Sequence, residues 1–371
     1  MSVFRSRPAL RWLVPTAAAV IVVGGGAAAG TIVASADPAL PERSAAQLLV
    51  DVQSAKVDGM SGTVVQTADL GLPALPGLGG NGESGADLMN LVAGSNTARV
   101  WYAGEDKMRL ALLSKLGETD VIRNGSDVWL WRSNDSSASH FTLPEVATEK
   151  KAVPEVLPST PQDAADAALA AIDPTTAVTT TGAAKVAGRD AYELVLTPRD
   201  TSSLVGQVRL AIDGEKKVPL GVDVYAKGAD DPAVRIAFQQ VSFEVPDAEQ
   251  FTFNPPPGTK VTERSEADVE KAAKEQAAEH DRALAEGEKP EAPEGTKVVG
   301  KGWGAVVVAK VPAGDKNAQI DAVVESLPQV SGAWGSGRLL KSALFSALLT
   351  DDGRVLAGAV APEKLYEVAG Q

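Results

Sequence analysis

The stretch that decides the fold runs from Ala191 to Gly258 and reads AYELVLTPRDTSSLVGQVRLAIDGEKKVPLGVDVYAKGADDPAVRIAFQQVSFEVPDAEQFTFNPPPG. Apolar residues alternate with polar ones in five short segments that turn residues separate. Such period-two spacing is typical of antiparallel strands. The alternating residues are Tyr192, Leu194 and Leu196; Val208, Leu210 and Ile212; Leu220, Val222 and Val224; Val234, Ile236 and Phe238; and Val241, Phe243 and Val245. The sequence therefore predicts a mainly β protein built around an antiparallel sheet.

A second group of strands is predicted between Thr97 and Leu143, and its strand at Val128 to Trp131 is apolar on both faces. Val128 and Leu130 lie on one face of a strand, and Trp129 and Trp131 lie on the other. A strand exposed to water on one side does not show this pattern, so a helix, a flap or a bound apolar molecule must cover the second face. The helix predicted at 162–172 is the best candidate. Both cavity lining and ordinary core packing account for the two tryptophans.

An insertion between Leu70 and Asn96 combines leucines with glycine and proline. Its backbone cannot form a regular element, yet it presents large apolar side chains. Two interpretations stand: a mobile flap that covers a hydrophobic ligand or touches a membrane, or a loop folded back on the core. The residues predicted to form the flap are Leu70, Leu72, Leu75, Leu78, Leu88 and Met89.

The N-terminus has the pattern of an export signal. Arg5, Arg7 and Arg11 precede an apolar stretch from Trp12 to about Ala36, and Ala34-Ser-Ala36 matches a cleavage pattern. The stretch is nearly long enough to span a bilayer, so a cleaved signal peptide and a retained membrane anchor both stay open. In either case the preceding basic residues predict that the rest of the chain is extracytoplasmic.

Composition restricts the possible functions of the 371-residue chain. A net charge of −13 argues against nucleic-acid binding, because phosphates need basic partners. The sequence contains no cysteine and only two histidines, His140 and His280, which leaves metal sites and Ser-His-Asp chemistry poorly supplied. We find no catalytic motif, so we predict a non-enzymatic protein without a cofactor or a metal.

The C-terminal third begins with a composition break. Residues 262–294 hold eleven acidic and five basic residues and predict a solvated helix and linker. Beyond it we predict a strand at 305–311, a helix at 315–327, a hairpin formed by 339–349 and 354–360, and a final helix at 362–368. Asp351-Asp-Gly353 supplies the hairpin turn, and Pro362 begins the last helix.

Five stretches, in order, resemble the LolA-like family of extracytoplasmic lipoprotein carriers, with its lipid-binding and sigma-factor-regulator relatives. They are Leu48 to Thr67, Asp106-Lys-Met-Arg-Leu110, Asn124-Gly-Ser-Asp-Val-Trp-Leu-Trp131, Val186 to Leu194, and Phe251-Thr-Phe-Asn-Pro-Pro-Pro-Gly258. The resemblance covers about residues 44–262. It implies an unclosed antiparallel half-barrel, capped by helices, whose apolar cavity holds acyl chains.

With this resemblance the chain divides into four predicted parts. Residues 1–36 are a signal peptide or membrane anchor, and 37–262 form a LolA-like half-barrel domain. Residues 263–295 are an acidic helical linker, and 296–371 form a small C-terminal β-α-β-β-α unit, an α/β addition to the mainly β fold.

The leading hypothesis is a cell-envelope protein, secreted or anchored, that binds lipid or lipoprotein acyl chains. Arg109 meets either a lipid headgroup or a structural hydrogen-bond partner. The alternative is a regulatory or sensor protein that binds a membrane protein partner such as an anti-sigma factor. Membrane contact would be through the N-terminal segment. The predicted lipid-binding residues are Arg109, Leu110, Trp129, Trp131, Leu210, Val222 and Phe238.

Overall fold

The computed structural model describes residues 40–72, 93–114, 117–143, 174–264, 296–310 and 323–371. The predictions for the N-terminal segment, the helix at 162–172 and the acidic segment at 266–286 lie outside these residues. Glu42–Gln371 forms one compact unit. Within the part of the chain that is described, no helix is long and apolar enough to cross a membrane.

The larger of two sheets has twelve strands. They are β1 (Met60–Asp69), β2 (Ala93–Tyr102), β3 (Lys107–Ser114), β4 (Gly117–Asn124), β5 (Asp127–Arg132), β6 (Ser137–Thr142), β7 (Thr176–Val186), β8 (Arg189–Pro198), β9 (Val205–Asp213), β10 (Pro219–Ala226), β11 (Pro232–Ser242) and β12 (Lys260–Arg264).

These strands form an open sheet in the order β12-β6-β5-β4-β3-β2-β1-β11-β10-β9-β8-β7. Sequential strands pair through hairpins, and β1 joins the two series by pairing with both β2 and β11. All pairs are antiparallel except β12 with β6, which run parallel. Because β12 and β7 are the two edges, the sheet is unclosed, as the sequence predicted.

The two faces of this sheet differ in composition. One face, which we call the apolar face, carries Leu194 of β8, Leu210 of β9 and Val222 of β10. Leu210 lies directly opposite both Leu194 and Val222, and all three are buried. Val64 of β1 and Phe238 of β11 continue this core. The opposite face, which we call the mixed face, carries charged and aromatic side chains as well as small apolar ones. The first four alternating segments, from Tyr192 to Phe238, therefore correspond to the main core. The fifth predicted segment is wrong as a separate strand, because β11 continues to Ser242 and Val245 beyond it is 61% exposed.

Ser44 as an N-cap and the spacing of Leu48, Val52 and Ala55 predict a helix from Ser44 to Val57, and helix α1 (Ala45–Ser54) confirms it with an earlier end. Ser44 accepts a hydrogen bond from the Gln47 backbone N–H at 3.3 Å, and the Gln47 side chain accepts from the Ser44 backbone N–H at 2.9 Å. This reciprocal capping box satisfies two N–H groups that a helix start leaves free. Leu48 and Val52 are buried, and the helix lies against β7.

The smaller sheet has six antiparallel strands in the order β13-β14-β18-β17-β16-β15. Helix α2 (Pro362–Ala369) packs on β17 and β18, with Leu365 and Val368 in a core shared with Leu348 and Leu356. The strands are β13 (Lys297–Val299), β14 (Val306–Lys310), β15 (Gln329–Gly332), β16 (Gly335–Lys341), β17 (Ser346–Thr350) and β18 (Arg354–Gly358).

This sheet has more strands than the sequence predicted. The hairpin turn at Asp351-Asp-Gly353 and the proline start of α2 are confirmed, and residues 323–326 of the predicted helix are helical. The predicted arm 339–349, however, is interrupted at Ser342, whose hydroxyl accepts hydrogen bonds from the backbone N–H groups of Leu344 and Phe345. The chain turns there, so the arm becomes parts of β16 and β17. The short strands β13 and β15 lack the alternation that predicts strands.

Backbone hydrogen bonds join the two sheets. The Leu204 N–H donates to the Ala359 carbonyl at 2.8 Å, and the Ala361 N–H donates to the Ser202 carbonyl at 3.1 Å. The indole N–H of Trp303 also donates to the Thr176 hydroxyl at 2.8 Å. The boundaries predicted for the linker and C-terminal unit stay predictions, because residues 265–295 lie outside the described part.

Candidate functional site

A row of apolar side chains crosses β2, β3, β4 and β5 on the apolar face. Val100, Leu110, Val121 and Leu130 lie directly opposite one another on successive strands. Val100 is buried, but the other three are half-buried. On β8, β9 and β10 the residues Leu194, Leu210 and Val222 of the same face are buried, so the row differs from the main core in its exposure. We call Leu110, Val121 and Leu130 the apolar row.

Further apolar side chains flank this row. Leu112 and Met108 lie two residues on either side of Leu110 in β3, and Phe141 lies opposite Val128 at the end of β6. Met108 is 37% exposed, and Leu112 and Phe141 are half-buried. Of the apolar-face residues on β3 to β6, only Leu110 was predicted to bind lipid, and Val128 and Leu130 were predicted only to share one face of their strand. The Asn124-Gly125 turn could have identified Val121, because a two-residue hairpin fixes the pairing of β4 with β5.

The seven predicted lipid-binding residues do not share one face. Leu110, Leu210, Val222 and Phe238 lie on the apolar face, whereas Arg109, Trp129 and Trp131 lie on the mixed face. Neighbouring residues of a strand point to opposite sides, so Arg109 and Leu110 cannot line the same wall. Leu210, Val222 and Phe238 are moreover part of the buried core. Lipid contact by any of the seven stays a prediction.

The segment after β11 covers the mixed face of β3, β4 and β5. A short 3-10 helix (Ala248–Phe251) lies against β3 and β4 and buries Phe251. Phe253 then packs on both tryptophans, with ring centroids 5.2 Å from Trp129 and 6.2 Å from Trp131. The predicted need for a cover is thus met here by residues 248–253, which the sequence analysis did not propose for this role. The helix at 162–172 lies outside the described residues.

Arg109 and Asp120 form an ion pair beneath this segment, and the Asp120 carboxylate is its buried partner. Arg109 donates to Asp120 Oδ2 from Nε at 3.0 Å and from Nη2 at 2.5 Å, and Asp120 is 0% exposed. Nη1 of Arg109 donates to the Gln250 carbonyl at 3.5 Å, and the guanidinium stacks 5.3 Å from the Trp101 ring centroid. Of the two roles predicted for Arg109, a lipid headgroup contact or a structural hydrogen bond, these contacts match the structural hydrogen bond. These contacts tie the covering segment to β3 and β4.

Glu118 is the titratable neighbour of this pair. It lies two residues before Asp120 on β4 and therefore on the same face. Burial and the negative charge of Asp120 raise the pKa of Glu118, while Arg109 and Arg99 act in the opposite direction. Glu118 and Asp120 thus form a carboxyl pair on one face of β4. Arg109 neutralises Asp120, and we assign no reaction to the pair.

His140 connects the parallel edge strand β12 to the sheet. Its Nδ1 lies 2.7 Å from Glu263 Oε2, and its Nε2 lies 3.2 Å from Asp127 Oδ1. The ring also stacks on Trp129 at 4.1 Å between centroids. Among the described residues no group of three or more His, Cys, Asp or Glu side chains is arranged to hold a metal ion. The His140 contacts join Glu263 of β12 to Asp127 and Trp129 of β5, next to the parallel pairing of β12 with β6.

Two of the six predicted flap residues are described. Leu70 is buried, and its carbonyl accepts a hydrogen bond from the Ala343 N–H at 2.7 Å; Leu72 is half-buried. Leu75, Leu78, Leu88 and Met89 lie outside the described residues. The structure thus fixes where the insertion leaves the larger sheet, next to the β16–β17 turn.

No family model and no curated protein matches the chain. Among solved structures it is similar to the Pseudomonas aeruginosa MucA/MucB complex, with 15% identity, 88% of this chain and 96% of that chain covered, and a TM-score of 0.40. It is also similar to a LolA superfamily protein from Nitrosomonas europaea (12% identity, 57% and 99% covered, TM-score 0.22). A third similar structure is a putative outer membrane lipoprotein-sorting protein domain from Vibrio parahaemolyticus. It is 10% identical, with 56% of this chain and 94% of that chain covered and a TM-score of 0.21. At these values the function has to be inferred from the side chains of this chain.

Proposed function

We propose that this protein is a non-enzymatic, extracytoplasmic binding protein that holds lipid or lipoprotein acyl chains against the apolar row. The observation that supports this proposal most strongly is the continuous line of half-buried Leu110, Val121 and Leu130 across three strands. Each of these side chains retains apolar surface that a ligand can remove from water. An acyl chain is the simplest ligand for a row without charged or hydrogen-bonding groups.

The energy of such binding requires no catalytic residue. Each CH₂ group that leaves water contributes about 0.8 kcal/mol. Roughly ten buried CH₂ groups therefore give a gross gain of about 8 kcal/mol, from which the loss of translational freedom and chain flexibility is subtracted. The flanking Met108 and Phe141 extend the apolar area, and methionine adapts easily to irregular ligands.

An extracytoplasmic location is supported by the N-terminal sequence. Arg5, Arg7 and Arg11 before the apolar stretch match an export signal, whether it is cleaved or kept as an anchor. The absence of cysteine means that the fold needs no disulfide and no thiolate metal site. N-terminal sequencing of the mature protein distinguishes a secreted form from an anchored one.

The Val121→Asn variant tests the acyl-chain proposal. We expect its affinity for a fluorescent fatty acid to fall about tenfold, because the substitution removes methyl groups and adds an amide without partners, at a cost of about 1–2 kcal/mol. Fluorescence titration of protein purified without detergent measures the affinity. Lipid extraction and mass spectrometry of the same wild-type sample should show stoichiometric lipid.

Val307→Asn is the matched control. Val307 is 43% exposed on β14 of the smaller sheet. The substitution is therefore the same, but it lies in a different sheet from the apolar row. We expect unchanged fatty-acid affinity, and thermal unfolding verifies that both variants are folded. If wild-type protein carries no lipid and binds no fluorescent fatty acid, or if both variants lose affinity equally, the acyl-chain proposal is wrong.

Binding of a membrane protein partner is the second candidate, and an exposed pair of valines favours it. Val298 of edge strand β13 lies directly opposite Val307 of β14, and the two are 60% and 43% exposed. An edge strand offers unpaired backbone groups, and an extended segment of another protein can hydrogen-bond to them and add one strand to the sheet. Exposed apolar side chains add affinity. The partner class is the extracytoplasmic part of a membrane regulator.

Reciprocal variants separate the two candidates. We expect Val298→Asp combined with Val307→Asp to reduce recovery of a membrane protein at least about tenfold in a pull-down from solubilised envelope, since each buried charge costs more than the valine contact contributes. Val121→Asn should leave this recovery unchanged. Equal recovery with the aspartate variant and wild type would contradict a partner site at β13 and β14.

A further inference from the structure

Asp120 and Trp131 form a pair of complementary polar groups on the mixed face. They lie directly opposite each other in the pairing of β4 with β5. Asp120 Oδ1 and Trp131 Nε1 are both buried, and each is without a hydrogen-bond partner among the described residues. One is an acceptor and the other is a donor. Buried polar atoms of this kind almost always have a partner in folded proteins, so this pair needs an explanation.

The neighbouring groups are already engaged. Arg109 directs Nε and Nη2 to the other carboxylate oxygen, Oδ2, and Nη1 to the Gln250 carbonyl. Phe253 packs on the Trp131 ring and contributes no polar atom. Neither the ion pair nor the covering segment therefore supplies a donor to Oδ1 or an acceptor to Nε1.

We propose that Asp120 and Trp131 bind a single neutral hydroxyl group. Its O–H donates to Asp120 Oδ1, and its oxygen accepts from Trp131 Nε1–H, so one group satisfies both atoms. The site takes either an ordered water or the alcohol group of a small polyol, which share this chemistry. It lies on the face opposite the apolar row and does not depend on acyl-chain binding.

Charge excludes the other simple ligands. An anion would meet the buried carboxylate of Asp120, and a cation would face the Trp131 N–H dipole and the Arg109 guanidinium. Protonated Glu118 is the one internal alternative, because its O–H can donate to Asp120. That donation leaves the indole N–H of Trp131 without an acceptor unless the second Glu118 oxygen reaches it. A hydroxyl group carries its donor and its acceptor on one oxygen, so it can bond to Asp120 Oδ1 and to the Trp131 N–H at the same time.

Indole N–H spectroscopy of the full-length chain tests the site. With ¹⁵N-labelled tryptophan, Trp131→Phe identifies the Trp131 signal among the six tryptophans. We expect a magnetisation-transfer peak between this N–H and a long-lived water. Titration with glycerol separates the two sources: a saturable shift of the Trp131 signal with loss of the water peak indicates an alcohol site, and an unchanged water peak indicates a water site.

Two controls make the result decisive. Trp129 lies on the same face and also contacts Phe253, and its indole signal should show neither the long-lived water nor the glycerol shift. In Glu118→Gln the water or glycerol signature of Trp131 should persist, because the hydroxyl and not Glu118 is its partner. If Trp131 shows neither signature in the wild type, or if Glu118→Gln abolishes it, the proposal is overturned.

Discussion

Replacing Arg109 by methionine is expected to lower the free energy of unfolding by about 3–5 kcal/mol. Methionine keeps the length and the apolar contact with Trp101 but removes the guanidinium from Asp120. Asp120 is completely buried, so the substitution leaves a buried carboxylate without its charge partner. Breaking a buried pair from one side costs far more than the pair itself contributes, since the remaining charge cannot regain its hydration.

Urea denaturation of Arg109→Met beside Arg235→Met measures this difference. Arg235 also makes two hydrogen bonds to one carboxylate, Asp223, at 2.7 Å, but its side chain is 50% exposed. We expect Arg235→Met to cost about 0–1 kcal/mol. The double variant Arg109→Met/Asp120→Leu should recover much of the stability lost by Arg109→Met, because it removes the unpaired charge as well. Equal costs for the two single arginine variants would contradict the argument.

Asp213→Ala is expected to produce a loss of similar size, about 3–5 kcal/mol. Asp213 ends β9, is 0% exposed, and accepts hydrogen bonds from the Arg189 guanidinium. Its Oδ1 also accepts from the backbone N–H groups of Glu215 at 3.0 Å and Lys216 at 2.6 Å. One carboxylate thus organises the β9–β10 turn and pairs a cation. Alanine removes the acceptor of the Arg189 Nε–H and of both backbone N–H groups, while Arg189 Nη2 keeps only Glu215 Oε2 at 3.3 Å. Thermal or urea unfolding measures the loss.

The same contacts predict how stability depends on pH. Burial alone would raise the pKa of Asp213, but the hydrogen bonds from Arg189, Lys216 and Glu215 together lower the pKa below its ordinary value of 3.8. The stabilisation is therefore fully present above that value and is lost as the pH falls through the folded-state pKa. In Asp213→Asn the decrease in unfolding free energy below about pH 4 should be shallower than in the wild type. Asp223→Asn, at the more exposed ion pair, serves as the control. If Asp223→Asn makes the decrease in unfolding free energy below about pH 4 equally shallow, Asp213 is not the cause of that decrease.

Much of the fold could be predicted from local sequence. The alternation from Tyr192 to Phe238 gives β8 to β11, because period two is a property of any strand with one buried face. The same alternation at Val241 to Val245 wrongly predicted a fifth strand, since among the described residues no distant segment buries Val245. The Asn124-Gly125 turn between β4 and β5 and the cap at Ser44 are equally local, since each depends on residues at most three apart. The mainly antiparallel sheet predicted from the alternation is confirmed, as is its open form, which the family resemblance implied.

The candidate sites could be predicted only in part. Alternation along β3 and β5 could have separated Arg109 from Leu110 and the tryptophans from Leu130, because it requires no tertiary information. It could not show that Leu210 and Phe238 are core while Leu110 and Val121 keep exposed surface. That distinction depends on which distant segments cover each part of the face. It therefore belongs to the tertiary structure.

The sequence by itself determined the alternating strands β8 to β11, the turn between β4 and β5, and that one strand must be covered on both sides. Only the tertiary structure decided that residues 248–253 cover Trp129 and Trp131, that β12 pairs in parallel with β6, and that Asp120 faces Trp131 beneath Arg109. The physical reason is the range of the interactions involved. Periodicity and caps act over a few residues, whereas covering a face and pairing a buried charge depend on contacts between segments far apart in the chain.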